Sequence, residues 1–307
     1  MEIAFEAIGL EVPNETAFHD LAEDVGKRGE VSRLPRKSGV LHGRCWKLGE
    51  GLEVWTVLYE SQTGEVFYAD CRPGFRARFA QRISPWIMTE FDEEGEAVVH
   101  GFIEDTEQEV LFALQNLTEV HAPIFQQNTL LVGLCGLAHR AEVLSVQYAL
   151  PYWKSYDELA LNIIENENYW SLCGEVIAFN ALRNPFTGSD LYWIYLNLGD
   201  FNLEILVNQR TLAGEQLYVG AFIKADIWLQ GHIVNEPARR SASALTFRAA
   251  ASMSWNLRAR ARRKPAFARR LSSLELKTHR FSASETLVKI AGRCAAQPSR
   301  MRRARIS

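Results

Sequence analysis

Residues 221–234 constrain the fold of this chain more than any other segment, because an apolar stripe runs through them with a period of two. The stripe consists of Ile223, Ala225, Ile227, Leu229, Gly231 and Ile233. The residues that alternate with it are Lys224, Asp226, Trp228, Gln230 and His232. Successive side chains of a strand point to opposite faces of a sheet. The pattern therefore predicts a long strand with one buried face and one face in water.

Two shorter runs, residues 191–198 and 201–207, precede this strand and are rich in aromatic and branched apolar residues. Such residues favour strands, and Gly199-Asp200 between the two runs is a turn signal. Three runs joined by glycine-containing turns predict a meander that curls into a small barrel.

With an earlier strand near Cys173–Phe179 and a turn at Val219-Gly220, the segment Gly174–Val234 resembles an OB-fold. The resemblance implies a small barrel whose outer sheet surface binds ligands. The first half of the chain contains a similar segment, since Val98–Ile103 matches Trp228–Ile233 in part. One hypothesis is therefore a diverged tandem repeat of one β-rich module, and chance similarity between strands is the alternative.

Other patterns predict a few elements outside this barrel. Phe18, Leu21, Ala22 and Val25 repeat at helical spacing after a capping residue at Asn14 or Thr16. The same reasoning suggests helices over residues 108–117 and after Ser155, and a short strand over residues 1–10. A hairpin over residues 52–69 has its turn at 61–64.

Charge divides the chain at Arg239. Residues 1–238 contain 16 Lys and Arg against 35 Asp and Glu, a net charge of −19, whereas residues 239–307 contain 18 against 2, a net charge of +16. We predict an N-terminal α+β module at 1–118, a β-rich OB-like module at 119–238 and a basic tail at 239–307. The tail is either disordered, since it has too few apolar residues to form a core, or translated from beyond the true end of the gene.

The expected fold class is therefore α+β and mainly β. It comprises two small curled antiparallel sheets or OB-like barrels, two or three helices and the disordered basic tail. Five cysteines are scattered without a CxxC pair, and neither a signal peptide nor a run of 18 apolar residues is visible. These features predict a soluble protein of the reducing cytoplasm, with no membrane association.

Trp228, Gln230 and His232 are the predicted ligand-binding residues, because they share the wet face of the last strand. Aromatic side chains on the outer face of an OB-like barrel can stack on bases. Two observations weigh against this prediction. A helix could cover Trp228, and a charge of −19 repels the phosphates that dominate nucleic-acid affinity.

The remaining candidates for chemistry are weaker. Cys135 and His139 could be a nucleophile and its base, although a buried thiol in a glycine-rich strand is the simpler interpretation. His100 and His232 lack the closely spaced ligand pairs of zinc sites, and residues 92–96 lack the spacing of a calcium loop. With no nucleotide-binding or hydrolase motif present, the sequence predicts no catalytic residue, metal or cofactor.

Three functions are compatible with these patterns. The first is a non-catalytic binding or assembly protein with a protein partner. The second is a single-stranded nucleic-acid binder that uses the OB-like face together with the basic tail, if that tail is genuine. The third is an enzyme whose dispersed acidic residues form no motif.

Overall fold

The computed structural model describes residues 2–91, 95–120, 124, 126–145, 149–155 and 168–234. Residues 1–237 form one compact unit, which ends two residues before the change of charge at Arg239. The predicted basic tail and the predicted helix after Ser155 lie outside the described residues.

Two α-helices begin the chain: α1 (Glu2–Ala7) and α2 (Glu15–Arg28). The strand predicted over residues 1–10 is wrong, because Ala4, Phe5 and Ala7 form a buried side of α1 that packs on the second sheet. Helix α2 is confirmed, and the Asn14 side chain accepts a hydrogen bond from the Ala17 N–H as its N-cap.

Four antiparallel strands follow as a small sheet in chain order. They are β1 (Glu30–Pro35), β2 (Gly39–Gly49), β3 (Leu52–Ser61) and β4 (Val66–Phe75). The predicted hairpin over residues 52–69 is confirmed as β3 and the first part of β4.

The other ten strands of the described residues belong to a second, mixed sheet. They are β5 (Gln81–Phe91), β6 (Glu96–Ile103), β7 (Glu109–Leu114), β8 (Leu130–Leu144), β9 (Tyr152–Ser155), β10 (Tyr169–Arg183), β11 (Asp190–Asn197), β12 (Asn202–Asn208), β13 (Leu212–Gly214) and β14 (Phe222–Ile233). The helix predicted over 108–117 is wrong, because Val110, Phe112 and Leu114 alternate into the core from β7. A single 3₁₀ turn, Leu117–Glu119, follows it.

Strand pairing in this sheet closes two rings that share the antiparallel pair β8–β14. The first ring runs β5-β6-β7-β14-β8 and returns to β5, whereas the second runs β10-β11-β12-β8-β14 and returns to β10. In each ring an antiparallel three-stranded meander ends beside a shared strand that lies parallel to it, β7 beside β14 and β12 beside β8. The great length of β8 and β14 lets each of them serve both rings.

The core stripe predicted in β14 is confirmed, since all six of its residues are buried. Strand β8 also buries both faces: Leu130, Val132 and Leu134 belong to one apolar cluster, whereas Cys135 and Leu137 belong to the other. The second cluster also contains residues of α1, β3 and β4. The small sheet and α1 therefore pack on the outer side of the shared strands.

The predicted fold class is confirmed as mainly β with two α-helices and two sheets. The second sheet is larger than expected and includes parallel pairs. This sheet joins strands from both sides of the predicted module boundary at 118/119. Strand β14 pairs with β7, and β8 pairs with β5. The chain therefore interleaves its two halves in one sheet.

Candidate functional site

The face of β14 that carries the predicted ligand-binding residues is covered rather than wet. Trp228 is half-buried, and Gln230 and His232 are only 1% and 6% exposed. The predicted solvated face is present at Lys224, which is exposed, but the prediction is wrong at Gln230 and His232. The end of β4 lies against this part of β14, with the Gln230 Nε2 donating to the Pro73 carbonyl at 2.7 Å. The role of these three residues in ligand binding remains a prediction.

Gln230 and His232 belong to a largely buried polar cluster between the two sheets, which we define as Glu53, Arg76, Gln115, Gln230 and His232. The Glu53 carboxylate is at its centre. It accepts hydrogen bonds from Arg76 Nε at 2.8 Å, from the Trp55 indole at 3.0 Å and from Gln115 Nε2 at 3.1 Å. Side chains from β3, the end of β4 and the end of β7 therefore converge on one carboxylate.

Arg76 links this carboxylate to a second one, because its NH2 group donates to Glu119 Oε2 at 2.7 Å. Glu119 also accepts from Asn116, whose amide pairs in both directions with the backbone of Ile233. The polar cluster thus connects the small sheet to the end of β14. The four side chains that donate to Glu53 and Glu119 come from three segments of the chain, so the arrangement suits a structural connection.

Burial determines the ionisation of the polar cluster. It raises the pKa of Glu53, against the opposing effects of Arg76 and the hydrogen bonds from Trp55 and Arg76. Burial and, to a smaller extent, the positive charge of Arg76 lower the pKa of His232 to about 4. His232 is therefore neutral at pH 7.

Glycines make room for the polar side chains of this cluster. Gly133 lies opposite His232 in β8, and a Cβ there would come within 2.4 Å of the His232 Cε1 atom. A Cβ on Gly74 would come within 1.8 Å of Gln115 Nε2. Gln115 Oε1, Gln230 Oε1 and His232 Nδ1 are buried without a hydrogen-bond partner in the described part of the chain. A cleft of about 350 Å³ lies beside the cluster and is lined by Lys47, Gly49, Gly51, Leu52, Glu53 and Arg76.

Among the cysteine and histidine candidates, Cys135 is a buried thiol. Burial raises the pKa of Cys135 well above its ordinary value, so the thiol is protonated at neutral pH and a poor nucleophile. His139 packs edge-on against Tyr169. The described residues include no group of three or more His, Cys, Asp or Glu side chains that could hold a metal ion.

A second candidate site lies on the outer side of the first ring and was missed by sequence reasoning. Four large apolar side chains are exposed there: Trp86 (66%), Ile87 (47%), Phe91 (42%) and Phe102 (38%). We call this surface of β5 and β6 the aromatic face. Isolated exposed apolar residues are common, but several on adjacent strands are typical of an interaction surface.

A β-bulge positions the most exposed residue of the aromatic face. The register of β5 against β6 shifts between Pro85 and Ile87, which leaves Trp86 outside the regular alternation. The indole lies over the ring of His100 on β6, with centroids 5.2 Å apart, and His100 in turn contacts the Glu109 carboxylate on β7. An aromatic ring, an imidazole and a carboxylate thus form a line across three adjacent strands.

One sequence signal could have revealed the aromatic face. In the run Val98–Ile103, the residues that point to either face of the strand are mostly apolar. A strand with one face in water carries polar residues on that face. The inward set includes Val99 and Ile103, which are buried, and the outward set includes the exposed Phe102. An apolar strand inside an acidic region thus indicates two apolar faces rather than one.

Comparison with known proteins gives one match. Residues 161–231 are similar to a family described as "Domain of unknown function, E. rectale Gene description (DUF3881)". The matched segment includes β10 to β13 and most of β14, so it covers much of the second ring. No curated protein and no solved structure matches the chain.

Proposed function

We propose that this chain is a non-catalytic binding or assembly protein that contacts its partner through the aromatic face. The observation that supports this most directly is the exposure of Trp86, Ile87, Phe91 and Phe102 on two adjacent strands. Aromatic side chains are enriched in the centres of protein interfaces, where they account for much of the binding energy. The closed strand pairing of the first ring provides a rigid support for such a surface.

The strand order supports an OB-like barrel for each ring. A meander of three strands whose third strand lies parallel to one of two further antiparallel strands is a five-stranded Greek-key arrangement, as in the OB-fold. One departure is that the first ring is completed by β14, far along the chain, and the second ring by β8, which precedes its meander. In a duplicated chain, β5, β6, β7 and β8 would correspond to β10, β11, β12 and β14. Val98–Ile103 of β6 would then correspond to β11 and not to the segment of β14 that it resembles in sequence.

The buried acidic residues favour a structural role over a catalytic one. Glu204 accepts hydrogen bonds from the backbone N–H groups of Arg78 and Phe79 and from the Trp193 indole, at 2.9, 2.6 and 2.5 Å. Glu53 also has three N–H donors. A carboxylate held by three donors has little capacity left for a substrate, so both side chains fix neighbouring segments.

We propose the cytoplasm as the compartment, because the four cysteines of the described residues are all free and buried. Neither described helix is long and apolar enough to cross a bilayer.

The proposed function is tested by affinity capture from the source cells with three forms of the full chain. These are the wild type, a Trp86→Ala/Phe102→Ala variant and a Tyr218→Ala control, in which an exposed aromatic residue of another surface is removed. We expect a partner in near-equal amount with the wild type and the control, and its loss with the double variant. Recovery of the same proteins by all three forms would exclude the aromatic face as the binding surface.

Single-stranded nucleic-acid binding is a second candidate, supported by the OB-like strand order and by the charge of +16 over residues 239–307. It is tested by titrating the full chain and residues 1–238 with labelled oligonucleotides at low and high salt. Salt-dependent binding by the full chain alone assigns the affinity to the basic segment, and loss of binding in Trp228→Ala assigns it to the predicted face. Equal and weak binding by both chains excludes this function.

A further inference from the structure

We infer that the partner segment bound by the aromatic face is basic as well as apolar, with Lys or Arg side chains next to hydrophobic ones. This inference rests on the proposed function and specifies the chemistry of the partner. It follows from the acidic residues at one edge of the aromatic face and from the line of side chains that crosses it.

Acidic residues border the aromatic face at the turn between β6 and β7. Residues 90–109 contain nine Asp and Glu and no Lys or Arg. Asp105, Glu107 and Glu109 are exposed at the turn between β6 and β7, and Glu109 pairs in register with Phe102 of the aromatic face. A partner that buried these apolar side chains would bring its own rim close to these carboxylates. Complementary charges at a rim accelerate association and exclude wrong partners.

The same charges disfavour two other occupants. A nucleic acid would bring phosphates towards the acidic turn, although phosphate neutralisation dominates nucleic-acid affinity. A second copy of this chain, related by two-fold symmetry, would place the aromatic face and its acidic border against an identical surface. Like charges would then oppose each other across the contact, which costs binding free energy.

The line Trp86, His100 and Glu109 specifies what the partner's cation contacts. A guanidinium or ammonium group on the half-exposed Glu109 carboxylate would lie on the same side of the sheet as His100, which contacts both Glu109 and the Trp86 indole. Tryptophan is the best aromatic acceptor for a cation–π contact, and Arg is the most frequent donor. One arginine next to a leucine or isoleucine could therefore contact the carboxylate, the indole and the apolar surface together.

The inference is tested with a labelled synthetic peptide of alternating Arg and Leu, titrated into the full chain by fluorescence anisotropy. Two comparison peptides replace Arg by Glu or Leu by Gly, so that charge and apolarity are varied separately. We expect the Arg–Leu peptide to bind at least about tenfold more tightly than either comparison peptide, because both kinds of contact contribute.

Variants assign this affinity to the aromatic face. Trp86→Ala and the triple variant Asp105→Asn/Glu107→Gln/Glu109→Gln should each weaken binding about tenfold, and the triple variant should also reduce its salt dependence. Tyr218→Ala should leave the affinity unchanged. Circular dichroism and urea unfolding establish that each variant is folded, which is expected because all the replaced side chains are exposed.

Several results would overturn the inference. Binding of the Glu–Leu peptide as tightly as the Arg–Leu peptide would show that charge is irrelevant. Dimerisation of the full chain that depends on Trp86, or oligonucleotide binding lost in Trp86→Ala, would assign the aromatic face to a different occupant. If the captured partner depends on Trp86 and Phe102 while no basic peptide binds, the proposed function stands and the basic partner is excluded.

Discussion

The outer side of the strand rings has two regions with opposite properties. On β14 the outward side chains Gln230 and His232 are polar and buried beneath the small sheet, whereas on β5 and β6 the outward side chains Trp86 and Phe102 are apolar and exposed. If side-chain polarity alone decided exposure, Gln230 and His232 would be exposed, and Trp86 and Phe102 would be covered. The small sheet packs on the polar side of β14, because the side chains there form hydrogen bonds with groups of the small sheet.

The covered region contains specific donors and acceptors from both sheets. Glu53 and the Pro73 carbonyl belong to the small sheet, and Gln115 and Gln230 from the second sheet donate to them. An aromatic surface would remove the Gln115 donor from Glu53 and the Gln230 donor from the Pro73 carbonyl, and each buried group that loses its partner costs about 1–3 kcal/mol. The aromatic face has no such partner in the described part of the chain and stays accessible.

The largest expected effect on stability comes from breaking the polar cluster. Glu53→Ala should lower the free energy of unfolding by about 3–5 kcal/mol, because Arg76, Trp55 and Gln115 each lose an acceptor and Arg76 keeps its charge. Urea unfolding measures this loss. The control is Glu30→Ala, which removes an exposed ion pair with Lys47 and should cost less than about 1 kcal/mol. Equal effects of the two variants would mean that the polar cluster does not hold the sheets together.

A second test uses the ionisation of His232. Its pKa is about 4 in the folded chain, below the ordinary value of about 6.5, so protonation favours the unfolded chain. The contribution of neutral His232 to the free energy of unfolding is fully present above about pH 6.5. It is lost as the pH falls towards 4, by up to about 3 kcal/mol. Stability measured between pH 7 and 4 should therefore fall more in the wild type than in His232→Gln.

Other titrating groups are common to both chains and cancel in this difference. The control is His19→Gln, which removes an exposed histidine of α2. If His232→Gln loses stability with pH as steeply as the wild type does, the covered region would have to be accessible to protons in the folded state.

A third test concerns the space that β8 leaves for His232. Gly133→Ala should cost about 1–3 kcal/mol, because its Cβ would collide with the imidazole. The double variant Gly133→Ala/His232→Ala should cost less than the sum of the single variants, since the collision disappears. Gly26→Ala is the control, because nothing lies within 4 Å of the added Cβ and α2 should gain up to about 1 kcal/mol. Additivity of the first two substitutions would contradict the packing of His232 on Gly133.

The smallest expected effect on stability belongs to the aromatic face. Trp86→Ala should change the free energy of unfolding by no more than about 0.5 kcal/mol, because two thirds of this side chain is already exposed. Trp55→Ala, at a fully buried indole, should cost about 3–5 kcal/mol in the same thermal or urea measurement. A large loss in Trp86→Ala would mean that the aromatic face is part of the core, and the comparison between the two regions would fail.

The alternation of polar and apolar residues predicted individual strands well, but it did not predict which strands pair with each other. The stripe from Ile223 to Ile233 and the hairpin of β3 and β4 follow from period-two patterns that are local to the chain. Residues 108–117 were predicted as a helix because a few apolar residues are compatible with either period. In the structure, residues 109–114 form β7. Phe112 is buried in the core, and β6 forms the backbone hydrogen bonds of the strand.

By itself, the sequence determined that the chain is mainly β, that β14 buries one stripe, and that the charge changes near Arg239. Only the tertiary structure decided that β8 and β14 each serve two rings and that Gln230 and His232 are covered while Trp86 is not. The physical reason is that a period of two depends on neighbours in the chain, whereas coverage of an outer face depends on contacts between distant segments. Residues such as Glu53 and Gln115, 62 positions apart, form those contacts only after both sheets have docked.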